Sequence, residues 1–450
     1  MAEPGSEHLR MTRAVQTVLG AGAAAGIDWC PRMLEAAEAR GYFTPPEDEE
    51  IKVRYAQYLR VRTVLLETLA VLEEASGRDG REWSGRLASF VIAFAAACLL
   101  VRGSRGLSAR AEASRLLRKK LDEPDPLRGI PEKTFTAIYR ASTDTLRLTR
   151  FREASDFYYG HRSEIAALEG DVLLDGLPQL LAREESWIAT CRSGIFRRRL
   201  LYRWFSFRRR HHSAWKKSMF GFFEWSGRAI AELRQPGVKA GGAPKRVSAD
   251  QRERALSLAR PGDIFVTRHD DALSNLFLPG FWPHVALYLG SPEQRVKAGV
   301  TLAPPVERLA AGPARFLEAK KDGVLLRPAE ETLAVDAFVI LRPPLQPGLL
   351  AEGLMRAMDH HGKPYDFSFD FRKSDRLVCT EVVYRAYHGA GPLSFALKEV
   401  SARPCLPAEE LIAQSLEQGF RVVAACGVGR DELITGTRAE LILHSSRSAL

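Results

Sequence analysis

The period of the apolar positions changes near the middle of the chain. From Leu59 to Leu72 they recur at the three- and four-residue spacing of one helix face, and the 15 residues from Leu87 to Val101 are almost wholly apolar, closed by Arg86 and Arg102. Such a stretch rises only about 22 Å as a helix, against a hydrocarbon core of roughly 30 Å, so it predicts a central buried helix rather than a membrane span. Helical patterns follow over 109–121, 131–150, 163–168 and 177–192, with few alternating β-branched runs among them and no internal repeat. A mildly apolar run over 15–27 predicts an opening helix. Glu3 and Glu7 stand where a signal peptide would carry its positive region.

The text from Gln235 to Val247, QPGVKAGGAPKRV, buries little and is rich in helix breakers. Beyond it, short β-rich runs are expected at 263–267, 284–289, 315–319, 323–326 and 337–342. Helical patterns return at 348–361, 377–390 and 408–418, and a last strand is expected at 420–425. The predicted fold class is α+β: an all-helical domain over 1–234, a linker over 235–250, and a mixed sheet-and-helix domain over 251–450.

Composition narrows the class. Of 450 residues 46% are hydrophobic and 27% charged, which excludes a collagenous, wholly disordered or multi-span membrane chain. The six cysteines show no C-x-x-C pair and no Cys/His ligand spacing, so neither a zinc site nor a disulfide framework is suggested, and no metal or cofactor is assigned. This usage fits a reducing compartment where a thiol stays available as a nucleophile, and the expected localisation is cytoplasmic.

The net charge is +10, and ten basic residues with no acid lie between Arg192 and Lys217. Interleaved with aromatics from Phe196 to Phe223, this segment suits an anionic membrane surface better than single-stranded nucleic acid, for which no motif is present. A solvated helix face with its aromatics in the core is the plainer reading.

Candidate chemistry is concentrated in the second half. Arg260-Pro-Gly-Asp-Ile-Phe265 is followed by Pro283-His-Val-Ala-Leu-Tyr-Leu-Gly290, in which His284 opens an apolar strand at a sheet edge. In Leu377-Val-Cys-Thr-Glu-Val-Val-Tyr-Arg-Ala-Tyr387, Cys379, Val382, Val383 and Ala386 share one helix face, and Glu381 and Arg385 form an i,i+4 pair. With Asp375 as the expected N-cap, the Cys379 thiol would occupy the first helical turn, where unpaired N–H groups and the helix dipole favour a thiolate. Taken alone, a cysteine on an apolar face is a small core residue. Glu318, in Arg315-Phe-Leu-Glu-Ala319, interrupts apolar neighbours and could hold an imidazole by its second nitrogen, or be an edge-strand solvent residue.

In this order these segments resemble the circularly permuted branch of the papain-like NlpC cysteine peptidase superfamily, the YiiX or YebB type, over roughly Arg260 to Tyr387. Unpermuted relatives run Cys before His. Pro364-Tyr-Asp-Phe-Ser-Phe-Asp370 also resembles the family's approach to the nucleophile helix, and Val339–Pro343 its intervening strand. Thr380 replaces the Ser that commonly follows the Cys. An Ala/Pro/Gly-rich stretch over 291–313 lengthens the path from His284 to Glu318, as a lid or specificity loop, and brings Glu293 and Glu307 nearer in sequence than Glu318.

The resemblance implies a circularly permuted papain-like domain, an antiparallel sheet packed on helices, that works as a thiol-dependent amidase, peptidase or related acyl hydrolase through a thioester. Cys379 would be nucleophile, His284 base and Glu318 orienter. Tyr365 would be a side-chain oxyanion donor and Asp263 a turn-ordering residue or a contact for a substrate amine. The apolar run Leu273–Trp282 would put Trp282 near the cleft mouth or, equally, in the core. The substrate is expected to be a peptide, amide or acyl compound. The alternative reading is a catalytically silent scaffold that associates with membrane surfaces through its basic aromatic segment.

Overall fold

The structure, a computed structural model, describes residues 4–24, 26–76, 83–193, 245–269, 281–400, 403–428 and 432–448. The chain divides into two compact units, Met1–Arg40 with Glu50–Trp215 and Gly41–Glu49 with Lys216–Leu450. The basic aromatic segment, from 194 onward, lies outside the described residues, as does the linker up to 244. From Lys245 the chain is already part of the second unit: Lys245 pairs with Asp336 at 3.2 Å, and Val247 is buried.

The first unit carries α1 (Pro4–Ala24), α2 (Pro31–Arg40), α3 (Pro45–Ser76), α4 (Trp83–Ala113), α5 (Arg115–Leu121), α6 (Thr134–Ser142), α7 (Thr145–Gly160), α8 (Arg162–Ala166) and α9 (Leu177–Ser193). Helix α4 is the core of this unit. Val91, Ile92, Ala95, Ala96 and Cys98 are fully buried and join one cluster with Val18, Leu65, Leu177, Leu181 and Ile188. Among the described residues its window Leu87–Ala113 alone is long and apolar enough to cross a membrane, and 67% of it is buried inside the protein. Two helical patterns that read as continuous are interrupted. Ser114 accepts a hydrogen bond from the Leu117 N–H and starts α5, and Asp144 accepts one from the Arg147 N–H and starts α7. Both side chains cap the orphan donors of a new first turn.

The second unit carries α10 (Ala249–Leu258), β1 (Ile264–Arg268), β2 (His284–Tyr288), α11 (Pro292–Lys297), α12 (Pro304–Ala310), β3 (Ala314–Lys320), β4 (Gly323–Pro328), α13 (Ala329–Thr332) and β5 (Ala337–Arg342). These are followed by α14 (Pro347–Met358), α15 (Cys379–Tyr387), β6 (Lys398–Val400), β7 (Arg403–Cys405), α16 (Ala408–Glu417), β8 (Arg421–Cys426), β9 (Leu433–Thr435) and α17 (Thr437–Ser448). Seven strands form one antiparallel sheet in the order β4-β3-β2-β1-β5-β8-β9, and β6 pairs with β7 apart from it.

Alternation along the strands supplies both faces of the sheet. Ile264, Val266, Val285, Leu287, Val339 and Leu341 join the core built with α14 and α15. Their neighbours Phe265, Ala286, Tyr288, Phe338 and Ile340 join a second core with Ala255 of α10 and Ala329 of α13. Because both faces are covered, these strands read in sequence as nearly unbroken apolar runs. Burial of each large side chain contributes about 1.5–3 kcal/mol. Gly262 fixes the entry to β1: its φ is +88°, and a Cβ there would lie 2.2 Å from Leu350 Cδ1. Only glycine suits such a site.

The stretch after His284 folds as α11 and α12 rather than as a lid. Val300, Leu302, Val306 and Ala310 are core residues, and buried Arg295 meets Glu307 at 2.5 Å. Segment 41–49 also belongs here, since the Asp48 carboxylate lies 2.9 Å from Nη1 of Arg385, both residues being buried. The expected Glu381–Arg385 pair is present at 2.8 Å, buried rather than exposed.

Candidate active site

The site is built where the start of β2 meets the start of α15. Cys379 is the first residue of α15, whose N-cap, Val378, makes no side-chain cap. The expected N-cap, Asp375, lies too far ahead and instead pairs with Arg376 at 3.6 Å. The first turn of α15 therefore keeps N–H groups without intrahelical partners, which favour a negative sulfur. The Cys379 sulfur accepts hydrogen bonds from the backbone N–H groups of Val285 and Thr380 and is hydrogen-bonded to His284.

His284 opens β2 opposite Thr267 of β1. Its Nε2 lies 2.7 Å from Oε1 of Glu318, which leaves Nδ1 for Cys379. The register Leu287↔Leu317 sets Glu318 across from Ala286, so His284 and Glu318 share one face of the pleat, a diagonal pair within side-chain reach. Glu318 is 1% exposed. Its other oxygen, Oε2, accepts from Thr332 Oγ1 at 3.1 Å and meets Lys320 Nζ at 2.9 Å and Arg327 Nε at 3.4 Å. Glu307 is taken by Arg295, and the Glu293 carboxylate is fully exposed and bonded to Ser291.

The electrostatics follow from these contacts. Burial alone would push the Cys379 thiol up, but the His284 charge and hydrogen bond and the two backbone donors hold it below its ordinary value. Burial alone would lower His284; Cys379 and Glu318 together raise it to about 10. Burial would raise Glu318, yet His284 and Lys320 hold it at about 2. All three shifts favour the charged forms, a thiolate beside an imidazolium beside a carboxylate.

Tyr365 is half-buried and joined to Leu377 by a parallel backbone bridge just ahead of α15. Burial first, then the negative charges of Cys379 and Asp366, push its hydroxyl well above the ordinary value, so it is a protonated donor. Of the alternatives left open for Asp263 and Trp282, the structure shows the structural ones and not substrate binding, and Asp263 orders the turn from Arg260 by accepting its N–H at 2.8 Å. Asp263 is fully buried at the far end of β1 from His284, with its carboxylate 2.8 and 2.6 Å from Nε and Nη2 of Arg342, and so contacts no substrate amine. Trp282 is fully buried, its indole N–H donating to Ser446 Oγ at 3.1 Å; it is core, not cleft wall. Residues 273–280 of the same apolar run lie outside the described residues.

Sequence reasoning missed the surroundings of Glu318. Lys320 carried a signal, two positions along β3 and so on the same face, whereas Thr332 and Arg327 arrive only through pairing with β4 and α13. It also missed His269, just past β1, which is pushed down to about 4 by burial and then by Lys245, His284 and Lys320.

A helix-borne thiol, a strand-borne imidazole later joined by a carboxylate, and His before Cys in the chain define a circularly permuted papain-like domain. Residues 258–404, about a third of the chain, match the family of permuted papain-like amidase enzymes, the YaeF/YiiX, C92 family. No curated protein and no solved structure matches the chain. The matched family is one of amidases, and this third of the chain is similar to it.

Proposed function

We propose that the second unit cleaves amides with Cys379 as nucleophile, His284 as proton carrier and Glu318 as the group that orients it. The observation that carries this reading is one imidazole hydrogen-bonded both to a helix-terminal thiol and to a buried carboxylate. In the first half-reaction the thiolate bonds to the acyl carbon and the tetrahedral oxyanion collapses. The C–N bond breaks as the His284 proton passes to the leaving amine, giving a thioester. His284 then takes a proton from water, whose oxygen attacks the thioester. The acid leaves, and the thiolate–imidazolium pair is restored. The oxyanion would be met by the Cys379 backbone N–H and the Tyr365 hydroxyl.

Alkylation of the full-length protein by iodoacetamide, read by peptide mass, tests this reading. Cys379 is expected to react at pH 6 nearly as fast as at pH 8, and His284→Gln to slow the pH 6 rate by roughly a hundredfold, the thiolate fraction lost by an ordinary thiol. A Cys379 rate that falls tenfold per pH unit below pH 8, as at an unactivated thiol, would overturn the reading and favour the silent scaffold.

A further inference from the structure

Glu318 has two differently occupied sides. Oε1 meets the imidazole, while Oε2 is held by Lys320, Thr332 and Arg327. Arg327 is largely buried and shared with Asp322 at 2.5 Å and Glu331 at 2.7 Å, so it belongs to the hairpin and α13 as much as to Glu318. After the imidazolium itself, Lys320 is the nearest cation to Glu318; it keeps 28% of its side chain exposed, with Glu331 at 3.8 Å its other carboxylate. Its charge also acts on His269, which in turn interacts with His284, so the field of Lys320 extends to the strand end that bears the imidazole.

We propose that Lys320 is a positioning residue which, acting through Glu318, offsets the pull of that carboxylate on the His284 proton and keeps the proton transferable to a leaving amine. This rests on His284 being the proton carrier. Two anions, the Cys379 thiolate and Glu318, stabilise the imidazolium, and a proton held too firmly is a poor acid. A cation on Oε2 draws carboxylate charge away from Oε1 and repels the imidazolium directly, and both effects weaken that hold. The other charges facing this end of the sheet are Lys245 and Asp336, which pair with each other, and the Arg327 cluster already named. From α15 the charge facing His284 is the Cys379 sulfur, and neutral groups there are His269 and the Tyr365 phenol.

The test is a carbon-13 NMR titration of histidine-labelled full-length protein carrying Cys379→Ser, which removes the thiolate, with the His284 signal assigned by its loss in His284→Gln. Lys320→Met is expected to raise the His284 midpoint by about half a pH unit, and Lys320→Arg to leave it in place. Should the methionine variant fail to fold, Lys320→Gln keeps a hydrogen bond to Oε2 without the charge and is expected to give the same rise. A midpoint that stays or falls in the uncharged variant overturns the proposal, as does a rise in Lys320→Arg equal to that in the uncharged variant. Because no thiol is present, the outcome is independent of the alkylation result.

Discussion

Two buried carboxylates stand at opposite ends of the β1–β2 pair, and the difference between them separates structure from chemistry. Asp263 is fully buried, with Arg342 forked onto both oxygens and the Arg260 N–H donating to one of them at 2.8 Å. Its partners hold their protons at any working pH, so the group is fixed. Glu318 is as buried, but one of its oxygens is committed to an imidazole, a group that gives and takes a proton. Burial is alike at the two sites, but it prevails at Asp263, whose carboxyl is pushed up, whereas His284 and Lys320 hold Glu318 down to about 2. The titratability of the partner differs too, and with it the capacity to do acid–base work.

The sharpest way to break this comparison is to neutralise each carboxylate in turn. Asp263→Asn leaves Arg342 with an uncompensated charge, and a stability loss of about 3 kcal/mol is expected in denaturant unfolding, with the pH 6 alkylation rate of the folded fraction unchanged. Glu318→Gln should do the reverse to the chemistry. Removing the anion lowers His284, the ion pair at Cys379 is lost near neutrality, and the pH 6 alkylation rate falls by about a hundredfold. Equal effects of the two variants on both readouts would remove the distinction.

Stability against pH sharpens it further. His284 is raised from 6.5 to about 10, so its contribution is fully present below about 6.5 and is lost as the pH rises through 10. Glu318 is lowered from 4.5 to about 2, so its contribution is present above about 4.5 and is lost as the pH falls through 2. Unfolding midpoints should therefore be highest between about pH 5 and 6 as far as this pair decides them. His284→Gln is expected to flatten the alkaline decline. The smallest effect is expected from Thr332→Val, which removes one hydrogen bond from Oε2 at a cost of about 1 kcal/mol in unfolding, with the alkylation profile retained.

Much of the fold is legible because the signals are local. The short apolar runs of Ile264–Arg268, His284–Tyr288 and Ala337–Arg342, and the apolar faces of α4, α14 and α15, are written into short windows. The breaks at Ser114 and Asp144 went unread because the apolar pattern continues across them while a single capping side chain restarts the helix. The 291–313 stretch read as a loop for the opposite reason: its prolines start two short helices, and its apolar residues are divided, Val300, Leu302, Val306 and Ala310 packing inward while Val296 and Leu309 stay exposed. In the site, His284 and Cys379 were legible from motif and order. For Asp263 and Trp282 the sequence left a structural and a substrate-binding reading open, because the partners that settle them, Arg342 and Ser446, lie 79 and 164 positions away.

The sequence by itself determined the two-part helical and α+β character, most of the elements, and the order of imidazole before thiol. All of these follow from side-chain period and from neighbours within a few residues. The tertiary structure alone decided that Glu318, the one the resemblance pointed to, meets His284 while Glu293 and Glu307 do not, which cations flank that glutamate, and that Asp48, in the first turn of α3, pairs with Arg385 of α15. Each of those depends on strand register and on ion pairs formed across long chain separations, where the energy of a contact resides in a geometry that no local window contains.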